Sequence, residues 1–190
     1  MVPAADVYLL IDGDRTLVPQ DTGTLFFDQV STLKVPNPLK KIFKRYDNYT
    51  FQAFWEVAIL YSNVLSLDEY NSLCKKIGSE QVHVYEAWNS FLDGLPSNVH
   101  PIIVSSSIRE VWLAMQLLHI EKQGQSSGLG RASVIAGNSL SLHSYIIDNH
   151  AKALVAKELR RLHCGCIIVG FGDSGERLSS FVFFCFYIIS

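Results

Sequence analysis

Three short apolar runs, each ending in polar residues, constrain this chain most. Val7 to Ile11 runs into Asp12-Gly13-Asp14, and Pro101-Ile102-Ile103-Val104 runs into Ser105-Ser106-Ser107. Cys166 to Val169 runs into Gly170-Phe171-Gly172-Asp173-Ser174-Gly175. Runs this short and this rich in β-branched residues read as strands buried on both faces, the condition of strands in a parallel sheet. Parallel neighbours need crossovers, and strands ending in polar loops followed by helices are the pattern of an α/β fold, whose sites gather at the strands' carboxyl ends.

The connecting segments read as helices. Asp21-Thr22 can cap a helix running to about Val30, and Pro36-Asn37-Pro38 breaks the chain after it. Phe51, Phe54, Trp55, Ala58 and Ile59 recur at helical spacing; further helical segments lie near Leu67 to Ile77 and Glu80 to Leu92, with Asp68 and Ser79 as starts. Beyond the second strand, a helix is expected from Ile108 to about His119, a polar glycine-rich loop from Gln123 to Gly130, and an amphipathic helix from Ala151 to Leu162. Val134-Ile135-Ala136 and Tyr145-Ile146-Ile147 are short strand candidates. The helical stretch between the first two strands is too long for an ordinary crossover. Residues 21–96 are therefore expected to form a cap over a core made of 1–20 and 97–190. No internal repeat is visible.

With 48% hydrophobic and 18% charged residues, the 190-residue chain can bury one sizeable core. A formal net charge of -2 gives no concentrated basic surface, so no nucleic-acid partner is expected. Lys40-Lys41, Lys44-Arg45 and Arg160-Arg161 read as solvated helix faces. Cys74, Cys164, Cys166 and Cys185 do not make a disulfide framework, and the start lacks a secretory signal's basic flank, so a reducing cytoplasm is the expected compartment. Cys164-Gly165-Cys166 has no second Cys/His pair at zinc spacing and reads as thiols at the start of a strand. Phe181 to Ile189 is unbroken apolar sequence, too short to span a membrane, and reads as a buried strand or an aggregation-prone end.

The chemistry centres on Asp12 and Asp14, two residues apart at the end of an extended run and so able to project to one side. Nucleophilic phosphoryl transfer needs such a pair: one carboxylate attacks phosphorus, and the other protonates the leaving oxygen and then activates water. A metal ion and a lysine would supply the countercharge that lets an anion approach a phosphate. By itself, Asp-Gly-Asp fits equally a solvated turn or a fragment of a calcium loop.

Ile11-Asp12-Gly13-Asp14-Arg15-Thr16-Leu17 closely resembles the first motif of the haloacid dehalogenase (HAD) superfamily. The resemblance implies Asp12 as the nucleophile that becomes an aspartyl-phosphate and Asp14 as the general acid/base, with Thr16 among the substrate-binding residues. Members that cleave carbon-halogen bonds lack the second aspartate, so its presence argues for phosphate chemistry. Ser105, at the end of Ile102-Ile103-Val104, matches the second motif and would hydrogen-bond a phosphoryl oxygen, with the N–H groups of Ser106 and Ser107 beside it; the plain alternative is that these serines cap the next helix. Lys152 matches the third motif's lysine, although a lone helix lysine is usually solvated. Asp173, after Gly170-Phe171-Gly172, matches the fourth motif and would bind Mg2+ together with Asp12 and the backbone carbonyl of Asp14.

The long helical insertion resembles the cap of the phosphoserine phosphatase branch, whose acidic substrate-recognition position holds Asp21 here, a residue equally suited to an N-cap. That branch's cap arginine has no counterpart between Phe51 and Leu92, so free phosphoserine fits poorly. The resemblance implies an α/β, HAD-type Rossmann-like parallel sheet with an inserted helical cap and incomplete last core elements. It implies a Mg2+-dependent phosphomonoester hydrolase acting on a small phosphorylated metabolite. The chain departs from the pattern at Arg177, where a second acidic residue is usual; a cation there would compete with the metal, while Glu176 offers an outer-shell carboxylate. The alternative is a catalytically silent HAD-like domain or truncated product that acts by binding a partner. Gly172-Asp173-Ser174-Gly175 also resembles the nucleophile loop of chymotrypsin-like proteases, but Glu176-Arg177 replaces the usual Gly-Pro and the helix-strand alternation is not two β-barrels.

The uncharged run from Phe181 to Ile189 is expected to limit solubility. Deletion after Ser180 should raise the soluble yield after centrifugation; a protein that unfolds instead makes the run a strand of the core.

Overall fold

The three apolar runs are strands in the computed structural model, which describes residues 5–33, 39–46, 50–137 and 147–172. Four strands, β1 (Val7–Asp12), β2 (Val99–Ile108), β3 (Ser133–Gly137) and β4 (Ile167–Phe171), form one sheet in the order β3-β2-β1-β4. All three pairings are parallel. Strands β1 and β2 are buried on both faces as expected, whereas in β4 Ile167 and Val169 are exposed among the described residues, because it is an edge strand of the sheet. Alternation along β1 and β2 divides their side chains. Leu9, Ile11 and Ile103 join the larger core with Phe26, Val30, Tyr70, Ile77, Trp112 and Met115, while Tyr8, Leu10, Ile102 and Val104 meet Ala151, Val155 and Leu159 on the other face.

The chain steps from β1 to β2 to β3 in one direction and then returns to place β4 on the far side of β1. The reversal opens a crevice at the carboxyl ends of β1 and β4, where a parallel sheet takes its ligands. Register brings Asp12 opposite Val104, and Ile11 opposite both Ile103 and Phe171, so β1 and β4 end at nearly one level while β2 runs on past them to Ile108.

Seven helices are described: α1 (Thr22–Leu33), α2 (Leu39–Arg45), α3 (Phe51–Ser62), α4 (Leu67–Glu80), α5 (Glu86–Asp93), α6 (Arg109–Gln123) and α7 (Asn149–Leu162). Helix α4 starts in a capping box in which the Ser66 hydroxyl accepts from Glu69 N–H and the Glu69 carboxylate accepts from Ser66 N–H. Asp68 therefore lies in the first turn rather than at the cap. Ser79 starts no helix; it sits inside α4, donating its hydroxyl proton to the Lys75 carbonyl at 2.8 Å, and the next helix begins after Tyr85. Helix α2 has no counterpart among the sequence expectations. Its seven residues are fixed by tertiary contacts with α3, through the edge-on Phe43–Phe54 pair at 5.4 Å and the Arg45 Nη1–Glu56 Oε1 pair at 2.8 Å.

Strand β2 continues through the serine triplet to Ile108, with a break in its register against β3 between Ser105 and Ile108. Helix α6 starts at Arg109 behind Ile108, which has no capping side chain, so the serines are not the cap of α6. Ile147 is buried just ahead of α7 and belongs to no strand; Tyr145, Ile146, Pro36-Asn37-Pro38 and everything from Asp173 onward lie outside the described residues. Among the described residues no helix is long and apolar enough to cross a membrane, and Cys74, Cys164 and Cys166 are free thiols.

Helix α4 lies against α6 at a glycine. A Cβ at Gly78 would fall 2.4 Å from the Val111 carbonyl oxygen and 2.9 Å from the Met115 nitrogen, both fixed backbone atoms. The Tyr70 hydroxyl donates to Glu110 Oε2 at 2.6 Å across the same contact. Gly78→Ala should therefore destabilise the fold, by ~2 kcal/mol or more once the helices are forced apart, despite alanine's better helix propensity. Urea unfolding should show a lower midpoint at unchanged slope.

Candidate active site

The loop after β1 is held by its own backbone and by an indole beneath it. Leu17 N–H bonds to the carbonyls of Asp12 and Gly13, and Val18 N–H to that of Gly13, so the chain makes one tight turn that buries Leu17 and Val18. Gly13 rests on Trp112 of α6: a Cβ there would lie 2.4 Å from the indole Cζ2. The glycine of Asp-Gly-Asp is thus required by close approach. From above, Trp88 Nε1–H donates to the Thr16 carbonyl at 2.7 Å and Tyr85 N–H to that of Leu17 at 3.2 Å, tying the start of α5 to the loop. Trp88 also packs edge-on against Phe171, the last residue of β4, at 5.2 Å.

Asp12 lies at the carboxyl end of the central strand β1. Its Oδ1 accepts from Lys152 Nζ at 2.7 Å and from Gly13 N–H at 3.0 Å. Lys152 sits in the first turn of α7, whose N-cap Asp148 accepts from Ala151 N–H at 2.7 Å. Only 9% of Lys152 is exposed. A lysine this buried requires a partner, and with little water between the charges the attraction exceeds that of a surface pair. Lys152 thus lies against Asp12, where its motif position leads one to expect it, and is not a solvated helix lysine.

Asp14 accepts from Thr22 N–H at 2.8 Å. Burial pushes its carboxyl up to about 7; hydrogen bonds from the Thr22 backbone and side chain oppose this, and the negative charges of Asp21 and Asp12 add to it. The Thr22 and Ser107 hydroxyls share a buried hydrogen bond of 2.7 Å, and Ser107 N–H donates to Ser105 Oγ at 3.0 Å. A continuous polar chain thus runs from Asp14 through Thr22 and Ser107 to Ser105. Ser106 follows Ser105 on β2 and is half-buried. The Thr16 hydroxyl oxygen is buried without a hydrogen-bond partner among the described residues.

Asp21 caps α1 by accepting from Thr24 N–H at 2.9 Å, and its other oxygen accepts from Arg15 Nη2 at 2.9 Å. Arg15 is the one non-glycine residue with positive φ, 60°, among those described. That conformation costs an L-residue roughly 1–2 kcal/mol, whereas an ion pair as exposed as this one, 60% and 26% for the two side chains, returns at most about 1 kcal/mol.

Asp12, Asp14, Lys152, Ser105 and Ser107 converge at one edge of the sheet. Thr22 and the two tryptophans that fix the loop are the parts that sequence reasoning missed. Thr22 was legible only as the start of a helix, and nothing in the sequence connects Trp112 or Trp88 to Gly13 or Thr16. The oxygen donors of Asp12 and Asp14 suit a hard divalent cation such as Mg2+. Among the described residues no three acidic, histidine or cysteine side chains group as a metal site, and the third expected ligand, Asp173, lies outside them.

No family model and no curated protein matches this sequence. Solved structures do match in fold. A HAD family hydrolase from Salmonella enterica subsp. enterica serovar Typhi superposes with a TM-score of 0.57 at 16% identity, over 89% of this chain and 57% of that one. A phosphoserine phosphatase, as a phospho-aspartyl intermediate analogue, superposes with a TM-score of 0.56 at 16% identity, over 89% of this chain and 79% of that one. The chain therefore has the α/β fold of HAD-type hydrolases, the phosphoserine phosphatase fold included, and spans little more than half the length of the first of these neighbours.

The position of Asp14 gives a test that needs no substrate. Its folded-state value near 7 lies above the ordinary 3.8, so the stability from the protonated form is complete below about pH 4 and is lost as pH rises through 7. Asp14→Asn cannot titrate. In metal-free buffer its stability relative to wild type should rise between pH 4 and pH 8, by up to ~4 kcal/mol, as read from urea unfolding at each pH. A constant difference would place Asp14 in water.

Proposed function

We propose that this chain is a Mg2+-dependent phosphomonoester hydrolase that works through an aspartyl-phosphate on Asp12 and acts on a small phosphorylated metabolite. The observation that carries the reading is the buried Lys152–Asp12 pair at 2.7 Å, at the end of the central strand and beside a second carboxyl able to hold a proton near neutrality. In this reading the Asp12 carboxylate attacks phosphorus, the bond from phosphorus to the ester oxygen breaks, and protonated Asp14 gives its proton to the departing oxygen. Asp14, now a carboxylate, takes a proton from the water that attacks the phosphoryl group; the Asp12–phosphorus bond breaks and inorganic phosphate leaves. Lys152 orients Asp12 and lowers the repulsion between carboxylate and phosphate. Ser105, with Ser106 and Ser107, lines the phosphoryl oxygens; Thr16 and Asp21 complete the substrate side. Asp12, the Asp14 carbonyl and Asp173 would hold Mg2+, which when bound neutralises phosphoryl charge. The helical segment 21–96 is the cap in this reading and would choose the leaving group.

Asp12→Asn should abolish Mg2+-dependent hydrolysis of p-nitrophenyl phosphate, and Lys152→Met should lower kcat by about 10²-fold or more. Equal rates in wild type and Asp12→Asn would remove Asp12 as nucleophile. Absence of turnover together with no calorimetric Mg2+ binding would favour the silent binding domain.

A further inference from the structure

We infer that Arg15 recognises a second anionic group on the substrate, so that the phosphoryl group is taken from a molecule whose leaving portion carries a carboxylate or another phosphoryl charge. The inference rests on the proposed phosphatase reading and names its substrate class.

Arg15 stands between Asp14 and Thr16, with its N–H bonded to the Gln20 carbonyl at 3.2 Å and its backbone in the left-handed region. Glycine would occupy this position without strain, so a long cation here needs a use for its side chain. Fold stability does not supply one. Asp21 is already held by Thr24 N–H, and its pair with Arg15 lies in water. The pair does aim the guanidinium. Asp21 immediately precedes Thr22, whose N–H holds Asp14, so the cation stands just outside the group that would protonate the leaving oxygen.

An anionic group on the portion attached to that oxygen would find this cation beside the proton donor. Only Nη2 of Arg15 has a partner among the described residues, which leaves planar guanidinium donors for an incoming anion. Lys152, the other cation of the site, is engaged with Asp12. Asp21, neutralised by Arg15, is poorly suited to bind a substrate ammonium, and the segment from Phe51 to Leu92 offers no arginine to take a carboxylate in its place. Arg15 therefore makes the specificity anionic.

The test is calorimetric affinity of the Mg2+-loaded chain for methyl phosphate, phosphoglycolate and pyrophosphate, in wild type, Arg15→Gln and Arg15→Gly. Wild type should bind phosphoglycolate, pyrophosphate or both at least about tenfold more tightly than methyl phosphate. Both variants should lose most of that preference. Arg15→Gly relieves the backbone strain, so its loss of preference reports the missing guanidinium rather than a misfolded loop. Which ligand gains tells a carboxylate from a second phosphoryl group. No preference in wild type, or a preference kept in both variants, overturns the inference. Hydrolysis of p-nitrophenyl phosphate by wild type against Asp12→Asn is read separately, so a failed hydrolase reading is seen as absent turnover while the ligand preference stands or falls by itself.

Discussion

A buried ammonium held against a carboxylate at the end of the central strand is the interaction on which the site depends. Lys152 comes from the first turn of α7 and Asp12 from β1, and the sheet brings β1 and β4 together only because the chain reverses direction after β3. The Lys152 ammonium is compensated by the Asp12 carboxylate, while burial first, and the Asp21 and Asp12 charges with it, raise the neighbouring Asp14 carboxyl. The topology thus sets a carboxylate paired with a cation next to a carboxyl that holds its proton up to about neutrality.

That division of labour arises from differences in surroundings rather than in residue type. Asp12 receives a cation; Asp14 receives burial and the N–H of Thr22, with no lysine or arginine bonded to it among the described residues. Two chemically identical side chains two residues apart can then take opposite parts in a proton-coupled reaction. Thr22, Ser107 and Ser105, linked through hydroxyls and backbone N–H groups, join Asp14 to β2. The positions of Asp14 and Ser105 are therefore tied to each other by one network of hydrogen bonds.

Much of this was legible in the sequence because it depends on local pattern. Strand runs ending in Asp12, Ser105 and the Gly170-Phe171-Gly172 loop, with helices between, suffice for a parallel sheet and for where its site lies. The departures share a cause. Ser79 looked like a helix start because serine favours caps, yet α4 continues through it since Ile77 and Gly78 pack on α6. Helix α2 is too short to be stable by propensity and exists by contact with α3. Ser105-Ser106-Ser107 also suited a cap because α6 follows, but β2 runs through them to Ile108, with a break in its register against β3. Lys152 was expected at the site only from its motif position, since a helix period says which face is apolar and not which charged residue is folded under it. Each miss is a tertiary contact overriding a local preference.

Two of the crowded glycines pack against the same helix, α6, at neighbouring points. Gly78 of α4 abuts the backbone at Val111 and Met115, and Gly13 of the loop after β1 abuts the indole of Trp112, between them in sequence. One turn of α6 is therefore a spacer between α4 and the loop that follows Asp12, with a glycine at each approach. Substitutions that adjust the outer surface of α4 leave this spacer alone, so the helical exterior can vary while the spacing of α4, α6 and that loop stays constant.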